Sequence, residues 1–258
     1  MIRREDMARI RAALLGAQEV LRAFTPGHVE ARMKEGDDPV TEADLAVDAV
    51  LYASLPQPGE GWLSEETIDD HSRLDKERVW VVDPLDGTRE FVAGIPEWCV
   101  SIGLVERGMA VAGGILNPAT GEMIIGAQGI GVFEEQFPVR TSQRASLQGA
   151  LVLASRSEVR RGQWARFDDA DFTVKPCGSV AYKLALVATG QADATWTLVP
   201  KNAWDVAAGV ALVTAGGGKA FLPGQSGHPE LNQADPLLPG LVACGPDLVT
   251  PIRRLLAL

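Results

Sequence analysis

The chain has 258 residues, too many for one small module and too few for a large multidomain assembly. Hydrophobic residues at 46% and charged residues at 22% exclude a disordered chain and leave ample material for a core. A net charge of −10 repels the backbone of nucleic-acid polymers, and an anionic substrate then becomes intelligible only if bound cations attract it.

Residues 6 to 24 carry Met7, Ile10, Leu14, Leu15 and Leu21 at helical spacing, and Thr25-Pro26-Gly27 stops that helix. Met1 to Arg11 is charged, with no apolar segment after it, which reads as no signal peptide. Residues 28 to 39 read as a loop or ragged hairpin, and a second helix is expected from Thr41 to Ser54. After a turn-rich link, apolar or alternating segments at 79–82, 98–105, 110–116 and 122–127 read as strands of a mostly antiparallel sheet. The pattern then alternates. Strands are expected at 150–154, 171–175, 193–198 and 239–244, and helices at 157–167, 179–189, 204–215 and 246–257, which argues an α/β layer. The switch suggests an N-terminal α+β domain, 1–145, carrying a metal site, and a C-terminal α/β domain, 146–258, serving the substrate. Cys99, Cys177 and Cys244 are odd in number and lack framework spacing, and no run of 18 apolar residues exists. A reducing compartment, the cytoplasm, and no membrane contact are therefore expected.

The chemistry concentrates in Trp80-Val81-Val82-Asp83-Pro84-Leu85-Asp86-Gly87-Thr88. An apolar strand delivers Asp83 to its end, and Pro84 opens a turn. The ends of a four-residue turn lie within about 7 Å, so Asp83 and Asp86 can aim their carboxylates at one point. Two carboxylates so close repel unless a cation sits between them, and hard oxygen ligands suit Mg²⁺. Gly87 lets the backbone approach a ligand, and Thr88 begins a short helix whose N–H groups suit phosphate. The same letters also read as an Asp-Pro turn with a Thr cap, although five specified letters arise by chance in roughly one chain of this length in several thousand.

Other residues carry two readings each. Glu65-Glu66 is either a solvated acidic loop or part of the same acid group. Asp44, in Thr41-Glu42-Ala43-Asp44, completes a capping box. Asp205, in Trp204-Asp205, either favours a helix dipole or joins the carboxylates. Lys183, in an apolar helix beginning at Ser179, either snorkels to water or contacts phosphate. Gly216-Gly217-Gly218 ends a helix and lacks the context of a dinucleotide loop.

Taken together, Glu65-Glu66, Asp83-Pro84-Leu85-Asp86-Gly87-Thr88 and Trp204-Asp205, in that order, resemble the inositol monophosphatase superfamily of lithium-sensitive, metal-dependent phosphatases. The resemblance spans about residues 38 to 245. It implies a layered αβαβα sugar-phosphatase fold and two or three Mg²⁺ ions. By position, Glu65, Asp83 and the Leu85 carbonyl would hold the first metal, and Asp83, Asp86 and Asp205 the second. Glu66 would support the metal shell. Asp44 and Thr88 would orient the attacking water, Glu65 would assist, and Gly87 and Thr88 would offer N–H groups to the phosphate. No protein nucleophile is implied, so no phosphoenzyme is expected. Relatives are often dimers, so a homodimer is an open expectation.

Substrate choice divides the superfamily. In the inositol branch an acid seven positions before the last metal Asp bonds the sugar hydroxyls; here that position is Leu198. Asp-Gly-Thr-Arg89-Glu-Phe, Ser155-Arg156-Ser157 and Lys183 look like the 3′(2′),5′-bisphosphate nucleotidase branch, whose substrate is 3′-phosphoadenosine 5′-phosphate, and Ser179 is a further candidate substrate contact. Arg89, Arg156 and Lys183 would then supply charge for a second phosphate. The alternatives are an inositol or sugar-phosphate phosphatase of the same fold, or a non-catalytic phosphate- or metal-binding protein.

Overall fold

The computed structural model describes residues 2–33, 39–225 and 227–257. Five layers stack in the order αβαβα, as the resemblance implies. The outer layer holds α1 (Ile2–Leu21) and α2 (Glu42–Ser54), with a small antiparallel pair, β1 (Ala31–Met33) and β2 (Pro39–Thr41), between them in sequence. α1 buries Ile10, Ala13, Leu14, Ala17 and Leu21, a stripe at helical period. It begins four residues earlier than its apolar pattern because Arg3 pairs with Asp6 and Glu106 and fixes the first turn. Of the expected loop or hairpin, residues 34–38 lie outside the described residues.

The second layer is a seven-stranded sheet in sequence order: β3 (Gly61–Ser64), β4 (Arg78–Asp86), β5 (Cys99–Glu106), β6 (Met109–Asn117), β7 (Glu122–Ala127), β8 (Gly131–Glu134) and β9 (Phe137–Val139). A short helix, α3 (Thr88–Val92), follows β4. Only β3 and β4 run parallel among these pairs. Trp80, Val82, Val100, Ile102 and Leu104 share a core with α1 and α2, while Val79, Val81 and Val105 join a second core behind the sheet. Both faces are covered, which is why the run at 79–82 is continuously apolar rather than alternating.

The second half supplies the remaining layers. Its elements are β10 (Leu151–Ser155), α4 (Arg156–Arg160), β11 (Thr173–Cys177), α5 (Val180–Ala188), β12 (Ala194–Thr197), β13 (Lys201–Asn202), α6 (Ala203–Ala215), β14 (Lys219–Phe221), β15 (Leu237–Leu238), β16 (Leu241–Cys244) and α7 (Val249–Leu256). α5 and α6 form the middle layer. A five-stranded sheet, β11-β10-β12-β16-β14, lies behind them, and Leu248, Ile252 and Leu256 cover its far face. The second core holds residues of both halves, among them Val81, Ile115, Leu153 and Leu212. α6 approaches β5 and β6 so closely that a Cβ at Gly103 would stand 2.7 Å from Ala207 Cβ, and one at Gly113 2.5 Å from Ala208 O.

Two expected helices are broken. In place of 157–167 stand α4 and a 3₁₀ turn at Ala165–Phe167, because Gly162 turns the chain at φ +74°. The final helix starts as a 3₁₀ turn, Pro246–Leu248, before α7. The three cysteines are free and buried. No helix among the described residues is long and apolar enough to cross a membrane.

Candidate active site

Three element ends deliver acids to one point. Glu65 follows β3, Asp83 lies near the end of β4, and Asp205 sits in the first turn of α6. Each offers a carboxylate oxygen within 4.8 Å of the others. The β4–β5 register shifts between Asp83 and Asp86, so the strand bulges at Pro84, where a residue without an N–H is tolerated. Asp83 Oδ1 accepts from Leu85 N at 3.0 Å, which holds the turn. Gly87 then takes φ +98°, and a Cβ there would stand 3.0 Å from Glu97 O, so the tight exit into α3 needs glycine.

The acids crowd one another. Burial, and then the neighbouring charges of Glu65, Asp86, Asp205 and Asp44, hold the Asp83 carboxyl well above the usual range. Burial, and then the charge of Asp86, push Asp205 up to about 8, although Lys201 opposes the shift. A carboxylate group this proton-hungry is what a hard divalent cation would discharge. The donor set, all oxygen with one acid shared at the centre, fits Mg²⁺.

Each acid is also held by the fold. Asp44 completes the capping box of α2, whose N-cap is Thr41: its Oδ2 accepts from Thr41 N at 2.8 Å and Thr41 Oγ1 at 2.6 Å. Its other oxygen accepts from Thr88 Oγ1 at 3.0 Å, so one buried carboxylate both helps start α2 and grips the end of the turn that begins at Asp83. Thr88 Oγ1 also lies 3.0 Å from Leu85 O. Burial raises Asp44, and the hydrogen bonds from Thr41 and Thr88 counter it. Asp205 repeats the device, accepting from Asn202 N at 3.0 Å in the capping box of α6. Asp86 Oδ2 accepts from Ser179 Oγ at 2.7 Å and Ala181 N at 2.6 Å, at the start of α5. Ser179 adopts φ +50°, and its hydroxyl also accepts from Tyr182 N at 2.9 Å. The loop carrying Glu65 is clamped to α2, because Asp48 accepts from Ser64 Oγ at 2.5 Å and Thr67 Oγ1 at 2.8 Å.

These residues face a pocket of about 480 Å³. Glu65, Asp83, Leu85, Asp86, Gly87, Thr88, Arg89, Ser179, Lys183 and Asp205 all line it, whereas Asp44 stands behind Thr88. Ser179 and Lys183 are tied inward: the Lys183 ammonium donates to Ser179 O at 2.7 Å and Cys177 O at 3.4 Å. Its burial lowers its proton affinity. Arg156, on the rim, pairs with Glu97, which also accepts from Gly178 N at 2.7 Å. Lys201, Arg160 and Asp48 escaped the sequence reading. Lys201 carried a usable signal, standing just before the polar cap Asn202 and the Trp204-Asp205 pair. Asp48, one turn after Asp44, looks like any polar helix residue.

The chain matches the inositol monophosphatase family over residues 3–248. It is 33% identical over 219 residues to the inositol-1-monophosphatase of Mesorhizobium japonicum, which covers 81% of this chain and 82% of that protein. Among solved structures, the inositol monophosphatase of Anabaena superposes with a TM-score of 0.80 at 27% identity, covering 100% of this chain and 97% of that one. CysQ from Bacteroides thetaiotaomicron, a bacterial member of the same family, gives 0.78 at 25% identity, with 93% and 97% covered. A match that runs through both sheets and every acid just described makes this chain a member of the inositol monophosphatase family of Mg²⁺-dependent phosphatases.

Proposed function

We propose that the chain is a 3′(2′),5′-bisphosphate nucleotidase that removes one phosphate from 3′-phosphoadenosine 5′-phosphate. The observation that carries this reading is the charge of the pocket wall. Beside the acids it holds Arg89, Arg156, Arg160 and Lys201, more cationic lining than one phosphoryl group at a metal site requires. Leu198 is 42% exposed and lines a neighbouring cavity instead, so a polyol would find no carboxylate at that position.

In this reading Glu65, Asp83 and the Leu85 carbonyl hold one Mg²⁺, and Asp83, Asp86 and Asp205 hold another. Bound there, Mg²⁺ supplies Lewis acidity for water and charge for the phosphoryl oxygens. The protein's part is positioning. Thr88 gives its hydroxyl proton to Asp44 or to Leu85 O, which leaves its lone pairs for a proton of the attacking water. Glu65 is the carboxylate that receives the proton as that water attacks phosphorus. Gly87 and Thr88 offer backbone N–H groups to the phosphate, and Arg89 and Arg156 hold the second one. No side chain is needed as a nucleophile.

The names of the relatives favour a second reading, an inositol or sugar-phosphate phosphatase. A substrate panel separates the two. With saturating Mg²⁺, kcat/KM for 3′-phosphoadenosine 5′-phosphate is expected to exceed that for inositol 1-phosphate, and both activities are expected to vanish with chelator. The reverse ranking moves the chain to the inositol branch.

A further inference from the structure

A buried lysine ordinarily pairs with a carboxylate. Lys183 of α5 is 4% exposed, yet its ammonium donates to two carbonyls, Ser179 O at 2.7 Å and Cys177 O at 3.4 Å. The backbone N–H of the same residue reaches Ser179 O only at 3.4 Å, beyond the usual range of about 2.7–3.2 Å. The side chain therefore supplies the short bond where the first turn of α5 is stretched.

The residue so held is strained. Ser179 stands at φ +50° and ψ +126°, a combination that residues other than glycine rarely adopt. Such a conformation persists only where neighbours over-determine it. Here they fill the hydroxyl completely. Ser179 Oγ donates to Asp86 Oδ2 at 2.7 Å, accepts from Tyr182 N at 2.9 Å, and takes the Cys99 thiol at 3.3 Å. Ala181 N, two residues on, donates to the same Asp86 oxygen at 2.6 Å. One strained turn thus fixes Asp86 Oδ2 with two donors, and Lys183 holds the carbonyl of that turn.

We propose that Lys183 is a positioning residue for Asp86: its ammonium holds the Ser179 carbonyl, and with it the strained turn whose hydroxyl and amide orient that carboxylate toward a divalent cation. The proposal rests on the reading that makes Asp86 a metal ligand. It gives Lys183, although it lines the pocket, a task other than holding phosphate. It also fixes a sign. A cation acting only through its field repels a second cation, so its removal would tighten metal binding. A cation that orients a ligand weakens metal binding when it is removed.

Mn²⁺ titration of the substrate-free chain, with free Mn²⁺ read by its EPR signal, measures that sign without turnover. Asp86→Asn is expected to lose one bound Mn²⁺. Lys183→Met should weaken the same ion about tenfold, the low end for a residue that orients a metal ligand. Lys183→Gln, which keeps an N–H donor without the charge, should weaken it less and carries the test if the Met variant does not fold. In a Ser179→Gly background the backbone takes this φ freely, so adding Lys183→Met should weaken binding by no more than about twofold. At saturating Mg²⁺, KM for 3′-phosphoadenosine 5′-phosphate or inositol 1-phosphate, whichever is turned over faster, should stay within about twofold of the unaltered chain. The proposal is overturned if either Lys183 variant binds Mn²⁺ as tightly as the unaltered chain or more so, or if the full loss persists in the Ser179→Gly background. It is equally overturned if Mn²⁺ binding holds while KM rises, which would make Lys183 a phosphate contact. The metal-ligand reading fails separately, when Asp86→Asn itself keeps every Mn²⁺ the unaltered chain binds.

Discussion

Asp83 is the residue on which the site turns, because it is buried and surrounded by four other acids, Glu65, Asp86, Asp205 and Asp44. Asp83→Asn keeps an oxygen for the Leu85 N–H but removes the charge a cation needs. We expect kcat to fall at least about a thousandfold, a loss of roughly 4 kcal/mol of transition-state stabilisation. The metal-free protein should melt higher, by about 2–4 °C for each kcal/mol of relieved repulsion. Phosphate release and a thermal melt in EDTA check both, and near-normal turnover of the amide variant would refute the shared-ligand geometry. Thr88 separates positioning from folding. Its hydroxyl is held by Asp44 and Leu85 O, so Thr88→Ala should lose about a hundredfold in kcat, the low end for a positioned proton-transfer group. Thr88→Ser, which restores the hydroxyl, should recover most of it. Equal activity in the two variants would show that the hydroxyl does nothing.

At the scale of elements, the Asp83–Thr88 turn was legible because its letters are constrained locally: Asp83 accepts from Leu85 N, Gly87 needs its positive φ, and Thr88 starts α3. The capping readings of Asp44 and Asp205 were also legible, and capping does not exclude a place among the clustered acids: Asp44 gives one oxygen to Thr41 and the other to Thr88, and Asp205 caps α6 while it stands beside Glu65 and Asp83. What escaped depends on partners far along the chain. Asp48 holds the Glu65 loop across 16 residues, and the pocket's extra cations sit on α4 and β13. The break at Gly162 escaped because a lone glycine is tolerated inside a helix, and nothing in the neighbouring letters dictates the positive φ it takes here. The placement of α6 is likewise invisible in its own sequence and is written in Gly103 of β5 and Gly113 of β6. Gly103→Ala would press on Ala207 Cβ and on Ala208 N at 2.8 Å, with no flexible side chain to yield. We expect a cost of about 1–3 kcal/mol and, because α6 carries Asp205, a several-fold rise in the Mg²⁺ needed for half-maximal rate. Gly16→Ala in α1, where a Cβ meets nothing within 4 Å, is the control and should stabilise by up to about 1 kcal/mol. A Gly103→Ala protein with unchanged metal demand would detach the helix position from the site.

For the whole molecule, the acid cage joins the halves, because Glu65 and Asp83 come from the first and Asp205 from the second. Its cost should be visible as a pH dependence of stability. Asp205 has an ordinary value of 3.8 and is pushed up to about 8 in the fold, and Asp83 shifts in the same direction. Between those limits the native state holds more protons than the unfolded chain, so metal-free stability falls as pH rises through the window. The peripheral ion network does not mask this. Burial alone would raise Glu60, but hydrogen bonds from Arg9, Trp80 and Arg78 outweigh it and bring the group down to about 2. Its stabilisation is complete above its ordinary value of 4.5 and is lost only below that. Mg²⁺ competes with the cage protons and binds the native state alone, so its stabilisation grows with pH. Thermal melts in EDTA from pH 5 to pH 8 should therefore drop on the order of 5–10 °C, and added Mg²⁺ should raise the melting temperature more at pH 8 than at pH 5. A flat EDTA series, or a Mg²⁺ effect larger at the acid end, would mean that these carboxylates are not held together at the expense of their charge, and the electrostatic basis of the metal site would be gone.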